Sequence, residues 1–190
     1  KFKNIKNFHG KPIIYYPITI SLKSNLFDRI IVSTDSKNIA SIAEKFGAEV
    51  PFVRPNCCSG HKATIFDVIR HSIRKLNLSK GDIICCVFPT SVFLTTDLLK
   101  KTYIEFKRKS KLINFLYSIT EYDHPIERGV KINKRGYVSK LFPKIYHNRT
   151  QDFPENFHDA GLFYWGKVNS FIKYSNVLTA KTLGYFVKKN

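Results

Sequence analysis

The sequence has few acidic residues and no long apolar run. Asp and Glu number 14 against 32 Lys and Arg, which gives a formal net charge of +18. A helix that spans a membrane needs about 20 mostly apolar residues, so the missing apolar run argues against a membrane protein. The excess of basic residues favours an anionic partner, and both nucleic acid and a nucleotide triphosphate fit that description.

The basic residues are mostly lysines, and they are spread along the chain rather than grouped. A nucleic-acid-binding domain predicts clustered basic residues that are interleaved with exposed aromatic side chains. Scattered lysines are instead typical of a solvated surface. We therefore keep nucleic-acid binding only as an alternative, and we expect neither a nucleic acid nor a membrane as the partner.

Cysteine is also scarce. The four cysteines form two adjacent pairs, Cys57-Cys58 and Cys85-Cys86. This spacing fits neither a CxxC metal site nor the disulfide framework of a small secreted protein, so a reducing cytoplasm is the simplest location. Cys57 and Cys58 with His61 are too few ligands to predict a metal site.

The chain has no methionine and opens in what looks like the middle of a motif. We therefore expect it to be part of a longer protein. Its 190 residues fit one domain with a substantial core, and they contain no internal repeat, linker or low-complexity tract that would divide them. We predict a single domain over residues 1–190.

Apolar and β-branched runs alternate with helical patterns along the chain. This alternation predicts an α/β fold with a doubly wound, mostly parallel sheet. A glycine-containing turn at 133–136 predicts a β-hairpin over Val130 to Leu141. The predicted helices cover 12–22, 37–46, 64–76, 95–109 and 168–174. The predicted strands cover 29–34, 49–53, 82–88, 114–122 and, more weakly, 177–187; a core strand at 162–165 is one of two interpretations of that segment.

Polar residues follow the first of these predicted strands. Ligands of open α/β sheets collect beyond the carboxyl ends of the strands, so Ser33, Thr34 and Asp35 would lie where a nucleotide site forms. The pair Asp35-Ser36 also fits a plain helix N-cap. Both interpretations stay open, since one residue can serve both purposes.

The segment from Asn148 to Lys167 has the most distinctive composition. Polar side chains that could bind an anion, Arg149, Gln151 and His158, precede the aromatic run Phe163-Tyr164-Trp165. Ala160-Gly161 between them would let a ligand or another backbone approach closely. One interpretation is a ligand pocket, and the other is a core strand entered through a polar loop.

The order of residues in this segment resembles that of the pseudaminic acid cytidylyltransferases, in the sialic acid and KDO cytidylyltransferase group. Arg149-x-Gln-Asp is followed by His158-Asp-Ala-Gly-x-Phe-Tyr-Trp-Gly. Four shorter matches support the resemblance: Lys3-Asn4 before Gly10-Lys11-Pro12, Arg54-Pro55, Pro89-Thr90-Ser91, and the Pro-Ile-x-Arg that ends at Arg128. It implies the nucleotide-diphospho-sugar transferase fold, of glycosyltransferase A-like type, with a β-hairpin insertion.

The resemblance also implies a reaction: the anomeric hydroxyl of a nonulosonic acid attacks the α-phosphorus of CTP, and Mg²⁺ offsets the charge of the pyrophosphate that leaves. The implied catalytic residues are Lys3, Arg149 and Asp159. The implied nucleotide-binding residues are Lys3, Asn4, Ser33, Thr34, Asp35, Arg54, Pro89, Thr90 and Ser91. The implied sugar-binding residues are Arg128, Arg149, Gln151, His158, Asp159 and Phe163. Arg149 would hold the sugar carboxylate, because a guanidinium fork matches a carboxylate.

Several departures from the family pattern limit these expectations. The glycine-rich half of the nucleotide loop is missing, and the acidic pair that would hold Mg²⁺ is expected beyond residue 190, so the metal ligands are unknown. Asp35 and Asp159 are the remaining acidic candidates near a metal. Ser59-Gly60-His61-Lys62 stands where the family has Ser and an acid, and Phe88 replaces the Gln of sialic acid enzymes. We therefore expect residues 1–190 alone to be inactive, and a non-catalytic family member or a homodimer stays possible.

Overall fold

The computed structural model describes residues 3–60 and 63–188 as alternating helices and strands. The helices are α1 Tyr15–Ser24, α2 Lys37–Lys45, α3 Ile65–Lys75, α4 Thr96–Lys109 and α5 Val168–Lys173. The strands are β1 Asn7–Phe8, β2 Lys11–Pro12, β3 Ile83–Val87, β4 Phe115–Glu121, β5 Val130–Ile132, β6 Val138–Lys140, β7 Phe157–Lys167 and β8 Thr182–Phe186. Short 3-10 helices cover Lys3–Ile5, Asn56–Cys58, Ile126–Arg128 and Thr150–Asp152. The predicted α/β class is confirmed.

The central sheet has four strands in the order β3-β7-β4-β8, and it is mixed. Strand β3 pairs antiparallel with β7, from Ile83 opposite Lys167 to Val87 opposite Phe163. The predicted strand at 82–88 is present, but its pairing with β7 is antiparallel, unlike the pairing expected in a mostly parallel sheet. The residues of β3 are half-buried. An apolar run does not specify which strand pairs with it or in which direction.

The predicted strands at 29–34 and 49–53 are present only as extended segments. They run parallel and are joined by isolated bridges, Ile31 to Glu49 and Thr34 to Val53. Backbone hydrogen bonds support the pairing, such as Arg54 N to Thr34 O at 2.8 Å. The two segments therefore run in the parallel direction that a doubly wound sheet requires, but they are not joined by a continuous ladder of hydrogen bonds.

Local capping explains where three helices begin. The hydroxyls of Ser36, Thr64 and Thr95 accept hydrogen bonds from the third backbone N–H of α2, α3 and α4. Thr64 and Asp67 complete a capping box, and the hydrogen bonds from Thr64 lower the pKa of the Asp67 carboxyl. Pro17 lies in the first turn of α1, where its missing N–H breaks no helical bond.

The core centres on α3, α5 and the second half of β7. Phe66 and Ile73 of α3 pack in one cluster with Phe115, Tyr164 and Phe171. All four residues from Leu162 to Trp165 are buried, and Phe163 is 0% exposed. The core-strand interpretation of 162–165 is therefore correct. The prediction that Phe163 contacts a sugar is corrected, because its ring has no surface at which a ligand could touch it.

The chain divides into two units. The first unit contains the residues up to Ser118 and those from Gly161 to Tyr185, and the second contains Ile119 to Ala160 and the residues from Phe186 onward. The second unit carries the predicted hairpin, β5 and β6, with Gly136 in its turn at φ 84°. Among the described residues, no helix combines the length and apolar character that crossing a membrane requires.

Candidate functional site

In the first unit, the two parallel segments bring Thr34, Asp35 and Arg54 together. Arg54 Nη2 lies 3.5 Å from Asp35 Oδ1, and Arg54 Nε donates to Ser59 Oγ at 3.1 Å. The Arg54 side chain is 21% exposed. This arrangement keeps a half-buried cation at the carboxyl ends of two parallel segments, where ligands of α/β sheets bind.

The same region separates the two interpretations of Asp35-Ser36. The Ser36 hydroxyl accepts the hydrogen bond from Ile39 N and so caps α2. The Thr34 hydroxyl accepts from Ser36 N at 3.1 Å. Asp35 forms the ion pair with Arg54, and it is not the residue that caps α2. The cap and the candidate charged group are therefore different residues.

Two predicted nucleotide residues carry buried polar atoms that have no hydrogen-bond partner in the described part of the chain: Asn4 Oδ1 and Ser33 Oγ. Ile14 N donates to Asn4 O at 3.2 Å, and Ile5 packs in one cluster with Val32. The loop of Asn4 therefore lies near the segment of Ser33. Leaving a buried polar atom unpaired costs about 1–3 kcal/mol, which makes such atoms candidates for ligand contact. Lys3 is exposed beside Asn4.

The turn after β3 contains predicted nucleotide residues with different surroundings. Thr90 is exposed and Pro89 is half-buried. Ser91 is 1% exposed and donates from Oγ to Leu162 O at 2.8 Å. The buried hydroxyl of Ser91 fastens the turn to β7, so the side chain serves the fold, and the nucleotide contact of this turn stays a prediction.

His71 is a buried polar residue that the sequence reasoning missed. It lies on α3, and neither ring nitrogen has a partner among residues 3–60 and 63–188. Its ring packs edge-on against Phe52 at 5.1 Å. Burial, and then the positive charges of Lys75, Arg74 and Arg54, lower the pKa of His71. Helical periodicity gives no signal for it, because position 71 falls between the apolar positions 69 and 73.

In the second unit, Arg128 binds a loop rather than an open surface. Its guanidinium donates to Tyr146 O at 2.6 Å, to Asn148 O at 2.9 Å and to Thr150 Oγ1 at 3.3 Å. The loop accepts from three of the five N–H donors of the guanidinium, and a direct sugar contact by Arg128 stays a prediction. Arg149, within the bound loop, is exposed.

The remaining sugar-site candidates lie at or near the start of β7. Gln151 is exposed in the 3-10 helix Thr150–Asp152, and His158 packs its ring on Tyr122 at 4.8 Å. His158 Nδ1 also lies 2.9 Å from Asp159 O. Successive side chains of a strand leave opposite faces, so His158 and Asp159 point to different sides of β7.

Gly161 adopts φ +66°, and apart from its own chain neighbours no atom of the described residues lies within 4 Å of the position that a Cβ would occupy. A side chain here would be strained whatever the space, because L residues rarely adopt this conformation. The open space fits the prediction of close approach at Ala160-Gly161. A ligand in that space stays a prediction.

A pocket of about 180 Å³ opens in the second unit. Its lining residues are Glu121, Tyr122, His124, Pro125, Phe153, Pro154, Glu155 and Asn156. Asn156 Nδ2 donates to Oε1 of the buried Glu127 at 2.9 Å. Tyr122 joins the pocket to His158 through the ring contact described above.

The described residues contain no ready-made cluster of metal ligands. Nowhere in residues 3–60 and 63–188 do three His, Cys, Asp or Glu side chains gather so that they could hold a metal ion. Asp35 is already paired with Arg54. His61, the possible third ligand beside Cys57 and Cys58, lies outside the described residues.

Comparisons with known proteins give a consistent result. The profile of a family described as Cytidylyltransferase matches residues 1–159. A pseudaminic acid cytidylyltransferase of Campylobacter jejuni is 36% identical over 174 residues, which is 90% of this chain and 74% of the relative. A Helicobacter pylori protein named as both a pseudaminic acid cytidylyltransferase and a UDP-2,4-diacetamido-2,4,6-trideoxy-beta-L-altropyranose hydrolase is 31% identical over 171 residues, 90% of this chain and 32% of its own length.

A solved structure confirms the predicted fold type. The CMP:2-keto-3-deoxy-manno-octonic acid synthetase complexed with CTP aligns with a TM-score of 0.70 and covers 98% of this chain and 83% of its own. At 14% sequence identity this likeness concerns the fold alone.

Proposed function

The chain belongs to the cytidylyltransferase family, and on that premise we propose that it joins CTP to a nonulosonic acid to give the CMP-sugar and pyrophosphate. The observation that carries the proposal is the 36% identity to a pseudaminic acid cytidylyltransferase over 90% of the chain. Pseudaminic acid is therefore the proposed sugar acid.

The first unit is proposed to bind CTP. Lys3 and Arg54 supply positive charge for the phosphates, and the unpaired atoms Asn4 Oδ1 and Ser33 Oγ supply hydrogen-bonding capacity. In the reaction, the anomeric oxygen forms a bond to the α-phosphorus while the bond to the bridging oxygen of pyrophosphate breaks. Such a reaction needs mainly positioning and charge stabilisation from the protein.

The second unit is proposed to bind the sugar acid. Arg149 is exposed on a loop that is itself held in place, and its planar guanidinium can bind a carboxylate through two parallel hydrogen bonds. Gln151 and His158 are proposed as further sugar contacts. Asp159 is proposed to accept the proton that the anomeric hydroxyl loses.

Magnesium is proposed to enter with CTP. Mg²⁺ usually keeps several waters and binds through substrate phosphates with one or two carboxylates, so it needs no preformed cluster of protein ligands. The cytoplasmic location stays a prediction; the four cysteines are free thiols, as a reducing compartment would leave them.

We also propose that the hairpin joins two copies of the chain. Ile132 and Val138 lie opposite each other in the β5–β6 register and are 69% and 64% exposed. Tyr137, next to Val138, is 70% exposed. Apolar side chains grouped on an exposed hairpin are typical of a protein interface.

The substitution Arg149→Lys tests the sugar-acid assignment. Lys keeps the positive charge but loses the fork, so we expect the KM for pseudaminic acid to rise by about tenfold or more while the KM for CTP stays unchanged. The measurement is CMP-sugar formation by the full-length protein with CTP and Mg²⁺. Arg108→Lys, at an exposed arginine of α4, is the matched control.

The possible outcomes separate the parts of the proposal. A rise in the KM for CTP alone would move Arg149 to the nucleotide site. No CMP-sugar formation by the unaltered full-length protein would contradict the proposed reaction and favour a non-catalytic family member.

A further inference from the structure

Arg128 binds the two neighbours of Arg149 in the chain. The three acceptors of its guanidinium are Tyr146 O, Asn148 O and Thr150 Oγ1, at 2.6, 2.9 and 3.3 Å. Asn148 and Thr150 directly flank Arg149. One side chain therefore binds a backbone carbonyl on one side, and a side-chain hydroxyl on the other, of the residue that is proposed to bind the sugar carboxylate.

Aromatic contacts fix the Arg128 guanidinium itself. Its central carbon lies 5.3 Å from the ring centroid of Tyr146 and 5.5 Å from that of Phe153. Lys140 Nζ lies 5.0 Å from the same Tyr146 ring and 2.7 Å from His147 Nε2. Cation–π contacts of this kind restrict both the cation and the ring.

The loop has little apolar anchoring, and its other hydrogen bonds are short-range, such as Tyr146 N to Phe142 O at 3.1 Å and Asn148 N to Ile145 O at 3.0 Å. Residues 144–150 are all exposed, Arg149 included, except Tyr146, which is half-buried. An exposed loop without apolar anchoring samples many backbone conformations, and each ordered residue loses conformational entropy. The charge-assisted hydrogen bonds from Arg128 offset that loss.

We propose that Arg128 is a positioning residue, which orders residues 146–150 so that Arg149 presents its guanidinium to the sugar-acid carboxylate in one orientation. The ordering of the loop stands on the contacts alone, whereas its effect on the sugar acid rests on the proposed function. The competing idea is the direct sugar contact that the sequence predicts for Arg128.

A double-mutant cycle distinguishes these two roles. The variants are Arg128→Lys, Arg149→Lys and the double variant of the full-length protein. If Arg128 acts only through Arg149, we expect Arg128→Lys to raise the KM for pseudaminic acid several-fold and to leave the KM for CTP unchanged. The KM of the double variant for pseudaminic acid should then exceed that of Arg149→Lys by no more than about twofold. Losses that multiply in the double variant would overturn the proposal, because they would indicate independent sugar contacts.

Hydrogen exchange of the backbone amides tests the ordering of the loop and does not require enzymatic activity. In Arg128→Lys we expect the backbone amides of 146–150 to exchange about tenfold faster or more, with unchanged exchange in α3 and β3. Arg108→Lys is the control for loss of an exposed arginine and should change nothing in this loop. Unchanged exchange in Arg128→Lys would overturn the proposal even if the protein proved to have a different activity.

A milder variant covers the case in which Arg128→Lys fails to fold. Thr150→Val removes one of the three acceptors and leaves the two carbonyls bound to Arg128. We expect it to speed exchange in the same loop by a smaller factor. An unaffected loop in Thr150→Val, combined with global unfolding of Arg128→Lys, would assign Arg128 to the stability of the whole unit and overturn the positioning role.

Discussion

One buried hydroxyl serves the only tryptophan of the sequence. Trp165 is 1% exposed, and its Nε1–H donates to Thr102 Oγ1 at 3.0 Å. Thr102 is 0% exposed, and its hydroxyl lies within hydrogen-bonding distance of Leu98 O and Leu99 O. The indole therefore depends on one side chain of α4 for its hydrogen bond.

Removing this hydroxyl should destabilise the fold. In Thr102→Val the shape is nearly kept, but the buried indole N–H loses its acceptor, so we expect the free energy of unfolding to fall by about 1–3 kcal/mol. Urea denaturation followed by the fluorescence of Trp165 measures it. Thr102→Ser keeps the hydroxyl and is the control. A Thr102→Val variant as stable as the unaltered protein would show that the hydrogen bond from the indole contributes nothing measurable.

At the level of single residues, the sequence identifies the candidates better than their roles. Ser91, Arg128 and Phe163 all belong to motifs shared with the family, and the structure uses each side chain within the protein itself. A motif fixes which residues occur together, but which partner binds a hydroxyl or a guanidinium depends on chain segments that are distant in sequence. The carbonyls that bind Arg128 lie 18 and 20 residues away.

Among the elements, β7 is packed so closely at one position that only glycine fits. A Cβ at Gly166 would lie 2.7 Å from Phe115 Cδ1 and 2.8 Å from Phe171 Cε2. Both phenylalanines are 0% exposed. A shift of either ring would therefore have to displace neighbouring atoms of the core.

We therefore expect Gly166→Ala to lower the free energy of unfolding by about 1–3 kcal/mol, the usual cost of overpacking a core. Gly81→Ala is the matched control, because no atom lies within 4 Å of a Cβ at Gly81. Thermal unfolding of the two variants compares them directly. A Gly166→Ala variant as stable as Gly81→Ala would show that the two rings can move.

The sequence predicts helices better than strand pairing, and the reason is physical. The starts of α2, α3 and α4 depend on a cap within three residues, so a local pattern locates them to within one residue. The pairing of β3 with β7 joins residues about 80 positions apart, and no local pattern encodes it. The hairpin β5–β6 was predictable because its turn is local.

At the scale of the whole molecule, the fold type could be predicted because the resemblance covers most of the chain. The division into two units could not, since no linker or change in composition marks its borders at Ser118 and Gly161. The net charge of +18 agrees with a polyanionic substrate but gives no location for it. The hairpin is more informative, because its exposed apolar side chains Ile132, Tyr137 and Val138 lie among basic residues.

The oligomeric state tests the proposed role of that hairpin. Ile132→Glu places a charge in the apolar face opposite Val138, and burying that charge in an interface would be costly unless it were paired. We therefore expect the full-length protein to be a dimer and Ile132→Glu to be a folded monomer. Sedimentation velocity over a wide concentration range measures both.

The control is Leu112→Glu, because Leu112 is 72% exposed but lies in the first unit, away from the hairpin sequence. Leu112→Glu should remain a dimer. Loss of the dimer in Ile132→Glu alone would then be due to the hairpin and not to the added charge. The circular dichroism of Ile132→Glu should match that of the unaltered protein, because a side chain already 69% exposed contributes little to the packing of its own chain. A dimer that persists in Ile132→Glu would place the interface elsewhere, and a monomeric unaltered protein would remove the proposed interface altogether.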